Sequence, residues 1–309
     1  MRALTAGTLT GTWATVLLPI GEDDRIDWER LSEQVRELVA AGVDGIYTNG
    51  SSGEFWAQTE EEFDRLSTVV ADACERAGMR FQIGAAHSSP QTALSRVRRA
   101  RDLSPGAIQV ILPDWFAPSD QESLAFLRRM ADEAAPVPLV LYNPPHAKRV
   151  LTALDHARLL DTVPEIVGIK VADGDGPWYD AMAPVSERVA MFVPGHHLAT
   201  GYGRGAAGAY SNVACLHPRA AVRWWEQITT DHVTAEALEA RLRTFLDNEV
   251  LPLQRQYGYC NAALDKLLAA IGDWAAVGTR MRWPYQGVPD TDVRRLRAVA
   301  QDRLPEFVT

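Results

Sequence analysis

A lysine that ends an apolar stretch of the chain is a candidate for amine chemistry. Residues 165–171 read EIVGIKV, which is typical of a strand covered on both faces, and turn residues follow directly. The chain has only three lysines, Lys148, Lys170 and Lys266. Because burial disfavours the charged form, Lys170 in an apolar pocket would present a free amine that attacks carbonyl carbons. The alternative is a side chain that reaches from the strand end into water.

A tyrosine at the end of the preceding predicted strand is a candidate acid and base. Side chains alternate along strands, so Tyr142 and Lys170 fall on corresponding faces and end their strands at the same height. A phenol in that position can pass protons to and from the carbinolamine that an amine forms with a ketone. Alternatively, Tyr142 is an amphipathic residue at a strand end.

The segment TNGSSGE, residues 48–54, offers small hydroxyl groups in a tight turn. Ser51, Ser52 and Gly53 combine two hydroxyls with successive backbone N–H groups, an arrangement that suits a carboxylate or a phosphate. An ordinary loop between a strand and a helix has the same composition. The segment alone therefore leaves both interpretations open.

Four histidines raise the alternative of a metal-assisted reaction. His196 and His197 follow Gly195, and His87 and His146 lie elsewhere in the chain. No His-x-x-x-His spacing or suitably spaced carboxylate accompanies them, so the pattern does not favour a metal site.

The elements that must position these residues alternate between short apolar runs and helical patterns. Parallel strands need helical crossovers, and eight of them close a filled cylinder, so the predicted fold class is α/β, a (β/α)8 TIM barrel. An open doubly wound sheet is the alternative, but no Gly-x-Gly-x-x-Gly turn follows the first strand. The predicted strands are residues 12–18, 45–48, 80–85, 107–112, 138–142, 166–171, 189–193 and 209–213.

Beyond about residue 230 the pattern becomes entirely helical. The prediction is a barrel over residues 1–230 and a C-terminal helical extension over residues 231–309 that packs on the barrel. Lys266 belongs to the helical stretch ALDKLLAA, where a solvated or packing role is expected.

Composition limits the classes of partner. The 309 residues carry a formal charge of −9, which argues against nucleic acid and anionic membrane surfaces. No run of apolar residues approaches the roughly 18 that a membrane span requires, and the N-terminal segment reads as a first strand rather than a signal peptide. Three widely spaced cysteines suggest neither a disulfide framework nor a zinc site. A soluble cytoplasmic protein is expected.

Four motifs in this order resemble one family over nearly the whole chain. GSSGE after the second predicted strand, YNPP after the fifth, GIKVADGD at the sixth and GAAGAYS at the eighth resemble the dihydrodipicolinate synthase/N-acetylneuraminate lyase family. The resemblance implies a (β/α)8 barrel with a helical C-terminal region. It also implies a homo-oligomer, tetramer or dimer, that uses no cofactor and takes small-molecule 2-oxo acid and aldehyde substrates.

The resemblance also implies roles for individual residues. Lys170 would form an imine with C2 of pyruvate or another 2-oxo acid, and Tyr142 would be the acid/base phenol. Ser51 and Ser52 would hold the substrate carboxylate, and Ser51 would also relay protons to Tyr142. The backbone carbonyl of Tyr210 would face the bound keto acid.

Departures from the family pattern concern the second half of the substrate. Trp115 stands where the synthases have a relay tyrosine, and Ala147 stands where they have a carboxylate-binding arginine. Gly195 is followed by His196 and His197 where sialic acid lyases have acidic residues. Trp115, Phe116, His196 and His197 are therefore expected to face the distal part of the substrate.

The expected function is a Schiff-base lyase that performs aldol cleavage, condensation or dehydration on a 2-oxo acid. The alternatives are a 4-hydroxy-tetrahydrodipicolinate synthase and a keto-acid-binding family member without turnover.

Overall fold

The computed structural model describes residues 1–308, and its centre is a closed barrel of parallel strands. The strands follow one another around the barrel in sequence order, and the last strand pairs with the first. The strands are β1 Gly11–Thr15, β2 Gly45–Thr48, β3 Phe81–Gly84, β4 Ala107–Ile111, β5 Leu139–Tyr142, β6 Ile166–Lys170, β7 Ala190–Pro194 and β8 Gly208–Tyr210.

Helices surround the barrel and continue beyond it. The first group comprises α1 Trp28–Ala41, α2 Glu60–Ala77, α3 Pro90–Asp102, α4 Asp120–Ala134, α5 Ala153–Thr162, α6 Gly176–Ser186, α7 Leu198–Tyr202, α8 Asn212–Leu216 and α9 Pro218–Thr230. The second group comprises α10 His232–Phe245, α11 Leu251–Tyr257, α12 Asn261–Gly272 and α13 Asp290–Arg303. A π-helical turn, Leu246–Val250, joins α10 to α11.

The predicted fold class, a (β/α)8 TIM barrel with a C-terminal helical extension, is confirmed. Two predicted strands were three residues too long at their ends, because the first ends at Thr15 and not at Leu18 and the eighth ends at Tyr210 and not at Val213. The Ser211 side chain accepts a hydrogen bond from the backbone N–H of Ala214, so it caps α8 at the point where the apolar run suggested more strand. The division at residue 230 stays a prediction.

Aromatic side chains fill the interior of the barrel below its C-terminal rim. Tyr210 packs against Trp13, Tyr47 and Phe192, with ring centroids 6.1, 5.1 and 4.7 Å away. Such bulky layers make the barrel a packed core rather than a channel. A cavity at that rim is lined by Tyr47 and Tyr210 of this aromatic layer.

Helix α12 brings the C-terminal part of the chain to the barrel. It packs on α8, directly after β8, and is buried along most of its length. Within residues 1–308, no helix is both long enough and apolar enough to cross a membrane.

Candidate active site

The amine of Lys170 lies among three tyrosine rings at the end of β6. Its Nζ atom is 4.1 Å from the ring centroid of Tyr142, 5.3 Å from that of Tyr210 and 5.7 Å from that of Tyr47. The parallel register pairs Lys170 directly with Tyr142 on β5. Strand alternation and barrel closure thus bring together the amine and the phenol that the sequence suggested.

Burial sets the ionisation of this amine. Desolvation lowers the pKa of Lys170 to about 8, although the charge of Asp265 and the thiol of Cys215 act in the opposite direction. A lysine with this pKa has an appreciable fraction of neutral, nucleophilic amine near neutral pH.

The phenol of Tyr142 is held in its protonated form. Burial raises its pKa to about 12, a hydrogen bond with Ser51 lowers it, and the charge of Asp265 raises it further. Tyr142 is 8% exposed, so water has little access to its ring. The group is a proton donor beside the amine, and Ser51 is in contact with it.

The loop after β2 places both serines at the cavity by adopting left-handed backbone conformations at its two ends. Asn49 has φ 56° and Glu54 has φ 52°, which only a few residue types adopt readily. Gly50 is required in between, because a Cβ atom there would lie 2.2 Å from the Tyr47 hydroxyl. The turn leaves Ser51 and Ser52 lining the cavity.

A buried ion pair fixes this loop to α12. The Nζ atom of Lys266 lies 2.5 Å from Glu54 Oε1 and donates to the Arg280 carbonyl over 2.7 Å. Both side chains of the pair are fully buried. Lys266 therefore packs in the interior as half of an ion pair, and the solvated alternative for it was wrong.

Tyr210 contributes its ring to the cavity floor. Its hydroxyl donates to Gln82 Oε1 over 2.7 Å, and Tyr47 donates in the same way to Gln109. The predicted contact between the Tyr210 carbonyl and a keto acid stays a prediction.

The two consecutive histidines point to different surroundings. His196 lines the cavity, and burial lowers its pKa to about 4, so the ring is neutral near pH 7. His197 lies outside the cavity lining, with Nδ1 at 2.7 Å from Asp173 Oδ2. Gly195 lets the turn approach β8, since a Cβ atom there would lie 2.5 Å from Ser211 Oγ. The substrate-binding roles of Gly195 and His197 stay predictions.

Trp115 lies on the surface and does not line the cavity that contains Lys170. It is 73% exposed, and its carbonyl accepts a hydrogen bond from Lys148 Nζ over 2.6 Å. Arg149 donates to the Pro118 carbonyl and to Asp120. The cations next to Ala147 thus bind neighbouring loop residues, and a contact between Trp115 and substrate stays a prediction.

The cavity above Lys170 has a volume of about 260 Å³ and a wall that the sequence did not suggest. Helix α12 contributes four residues at helical spacing, namely Asn261, Leu264, Asp265 and Leu268. Ser52 Oγ donates a hydrogen bond to Asp265 Oδ2 over 2.5 Å. The sequence signal for this wall was one acid between leucines on a helix face, but it gave no indication that the face meets the barrel.

A second cavity of about 380 Å³ adjoins the first and shares Ser51, Tyr142 and Asn261 with it. Ala147, His146 and Arg149 lie along its side. Among residues 1–308, no group of three or more His, Cys, Asp or Glu side chains is placed to hold a metal ion.

Comparison with known proteins gives a family match over most of the chain. The model of the dihydrodipicolinate synthetase family matches residues 8–289. The N-acetylneuraminate lyase of Rhizobium meliloti is 34% identical over 168 residues, covering 54% of this chain and 55% of that protein. The 4-hydroxy-tetrahydrodipicolinate synthase of Methanothermobacter thermautotrophicus is 31% identical over 167 residues, covering 54% and 58%. The chain thus spans little more than half the length of these curated relatives.

Solved structures share the fold at lower identity. YagE, a prophage protein of the dihydrodipicolinic acid synthase family from E. coli K12 solved in complex with pyruvate, superposes with a TM-score of 0.82 at 19% identity. That match covers 95% of this chain and 98% of YagE. The wild-type sialic acid aldolase of Ruminococcus gnavus has a TM-score of 0.82 at 19% identity, covering 97% and 100%.

Proposed function

The chain belongs to the dihydrodipicolinate synthetase family, and from this premise we propose that it is a lyase in which Lys170 forms an imine with pyruvate or another 2-oxo acid. The observation that carries the proposal is the position of the Lys170 amine, 4.1 Å from the ring of Tyr142 in a cavity at the C-terminal rim of the barrel. Catalytic groups of this fold lie at that rim.

The first half of the reaction uses groups that lie around the amine. The neutral amine of Lys170 attacks the C2 carbonyl and gives a carbinolamine. Tyr142 donates the proton that lets the carbinolamine hydroxyl leave as water, and an iminium ion remains. Ser51, in contact with Tyr142, passes its proton to the phenolate and takes up another from bulk water, so the phenol is restored for the next step.

The iminium ion determines which bonds react next. It withdraws electrons from C3, so the C3–C4 bond can break or form. Alternatively, C3 loses a proton to give an enamine, and the hydroxyl at C4 then takes up a proton and leaves as water. The proposal therefore covers an aldolase and a dehydratase acting on a 2-oxo acid. Ser51 and Ser52 are the proposed carboxylate ligands.

The distal part of the substrate would meet neutral polar groups. His196, Asn212 and Asn261 line the cavity on this side, and His196 is neutral near pH 7 because burial lowers its pKa to about 4. Neutral donors and acceptors suit hydroxyl or carbonyl groups better than they suit a second carboxylate.

Reductive trapping tests the proposal. Incubation with pyruvate and borohydride should add the mass of one reduced pyruvyl group to the peptide that contains Lys170. Lys170→Ala should abolish this label, whereas the matched variant Lys148→Ala should keep it. A label on Lys148 or Lys266, or no label with any 2-oxo acid, would contradict the proposal.

A further inference from the structure

The serine proposed to hold the substrate carboxylate is already bound to a carboxylate of the protein. Ser52 Oγ donates to Asp265 Oδ2 over 2.5 Å, and both residues line the cavity that contains Lys170. A serine hydroxyl has one proton to donate. It therefore cannot donate at the same time to an ionised Asp265 and to the carboxylate of a bound 2-oxo acid.

The charges in the cavity make two ionised carboxylates unfavourable. Among the described residues that line it, Lys170 is the only ammonium or guanidinium group. The titratable groups that interact with the charge of Asp265 are Lys170 on β6, Tyr142 on β5 and Cys215 on α8. The side chains of Tyr47, His196 and Tyr210 also line the cavity. Burial raises the pKa of both Tyr142 and Cys215, so these two remain neutral near pH 7. One iminium charge then balances one ionised carboxylate. A second ionised carboxylate would leave the buried site with a net negative charge.

We propose that Asp265 determines which substituent stands next to the reacting carbonyl. A 2-oxo acid binds with Asp265 protonated, so that Asp265 and Ser52 both donate hydrogen bonds to its carboxylate. With Asp265 ionised, the same place favours a neutral hydroxyl group, which donates to Asp265. This inference rests on the proposed function, because it takes Lys170 as the imine-forming lysine.

Asp265 changes charge in an accessible range of pH. Burial raises its pKa to about 6, while the hydrogen bond from Ser52 and the charge of Lys170 act to lower it. Above this pH the free protein holds Asp265 ionised, and binding of a 2-oxo acid must take up one proton. By linkage, the affinity for a 2-oxo acid falls about tenfold for each pH unit above that value.

Two ketones that form imines with the same lysine separate this effect from the ionisation of Lys170. Pyruvate carries a carboxylate next to the carbonyl, and hydroxyacetone carries a hydroxymethyl group there. Cyanoborohydride trapping at several concentrations and at pH values of about 6 to 8.5 gives an apparent affinity for each ketone. The ratio of the two affinities cancels the titration of Lys170, which is common to both.

The expected result is a ratio that depends on pH only through Asp265. In the wild type, the preference for pyruvate over hydroxyacetone should fall about tenfold per pH unit between about pH 7 and 8. In Asp265→Asn, which keeps an acceptor for Ser52 and adds a donor, the ratio should stay constant within about twofold. Asp273→Asn, the same substitution at the exposed end of α12, should behave as the wild type.

Each outcome is decisive. A wild-type ratio that does not change with pH, or an equal slope in Asp265→Asn, would overturn the role of Asp265 while leaving imine formation intact. If Asp265→Asn fails to fold, the wild-type slope decides alone. If neither ketone is trapped on Lys170 at any pH, the proposed function itself is wrong, and this inference is wrong with it.

Discussion

Two walls of the cavity that contains Lys170 differ in origin. One wall consists of strand ends and their loops, and it holds the amine of Lys170, the phenol of Tyr142 and the hydroxyl of Ser51. The other wall is one face of α12, and its only ionisable side chain is Asp265. In our proposals the strand wall forms and breaks bonds, and the helix wall selects the substrate. Separate walls allow substrate preference to change without a change in the reacting groups.

The largest effect should come from the strand wall, at the amine. Lys170→Met keeps the length of the side chain and removes the nucleophile, so turnover of a 2-oxo acid substrate should fall on the order of 10⁴-fold or more. Steady-state kinetics with the best substrate measure this. Lys148→Met is the matched control, and a fall of less than about tenfold in Lys170→Met would remove the distinction between the walls.

The second largest effect on turnover should come from removal of the Tyr142 phenol. Tyr142→Phe should lower kcat by about 10²- to 10⁴-fold with little change in folding, because it removes a positioned proton donor. The thermal unfolding midpoint, measured alongside kcat, separates a chemical role from a structural one. Tyr257→Phe changes an exposed tyrosine and should leave kcat within about twofold of the wild type. Near-normal turnover in Tyr142→Phe would show that the phenol is structural.

The ion pair between Glu54 and Lys266, which links the two walls, should stabilise the fold by several kcal/mol. Lys266→Met leaves Glu54 buried without its partner and should lower the free energy of unfolding by about 3–5 kcal/mol in urea denaturation. The double variant Glu54→Gln/Lys266→Met should recover part of this loss, since no unpaired charge remains. If the loss in the double variant equals the sum of the losses in Glu54→Gln and Lys266→Met alone, the ion pair does not join the walls.

An aldehyde substrate that carries its own carboxylate should react poorly with the imine of pyruvate. Ala147 has no donor group, and the neighbouring cations bind other loop residues, so aspartate semialdehyde loses a carboxylate contact worth about 2–5 kcal/mol. The value of kcat/KM with pyruvate plus aspartate semialdehyde should stay below about 10⁴ M⁻¹s⁻¹. A higher value, together with growth of a diaminopimelate auxotroph that carries the gene, would establish the synthase alternative.

The smallest effect should be on stability as a function of pH, and it belongs to the helix wall. The pKa of Asp265 is raised from 3.8 to about 6 in the folded protein, so the folded state holds its proton more tightly than the unfolded state. The stability that this proton confers is present below about pH 4 and is lost as the pH rises through about 6. Asp265→Asn should therefore gain about 3 kcal/mol relative to the wild type between pH 4 and 7. If the difference in unfolding free energy between Asp265→Asn and the wild type does not change with pH, the raised pKa of Asp265 is contradicted.

The two walls also differ in how far the sequence predicted them. Strand periodicity placed Lys170 and Tyr142 side by side, because strand ends meet at one rim once a barrel is assumed. Asp265 was missed, since the contact between α12 and the loop after β2 joins residues 213 positions apart and depends on tertiary packing that no local pattern encodes. Surface loops behaved similarly: the sequence did not indicate that Trp115 is exposed or that His197 contacts Asp173.

The ion pair between Glu54 and Lys266 has a consequence for biosynthesis. The strand that carries the amine is synthesised 95 residues before Asp265, counted from Lys170 in the sequence. Because synthesis runs from the N-terminus, all eight strands are made before α12 is available to cover Lys170. During that interval Lys170, the proposed imine lysine, lacks Asp265, the carboxylate proposed to select its substrate. Arrival of Lys266 at Glu54 ends the interval, since it docks the helix that places Asp265 against Ser52.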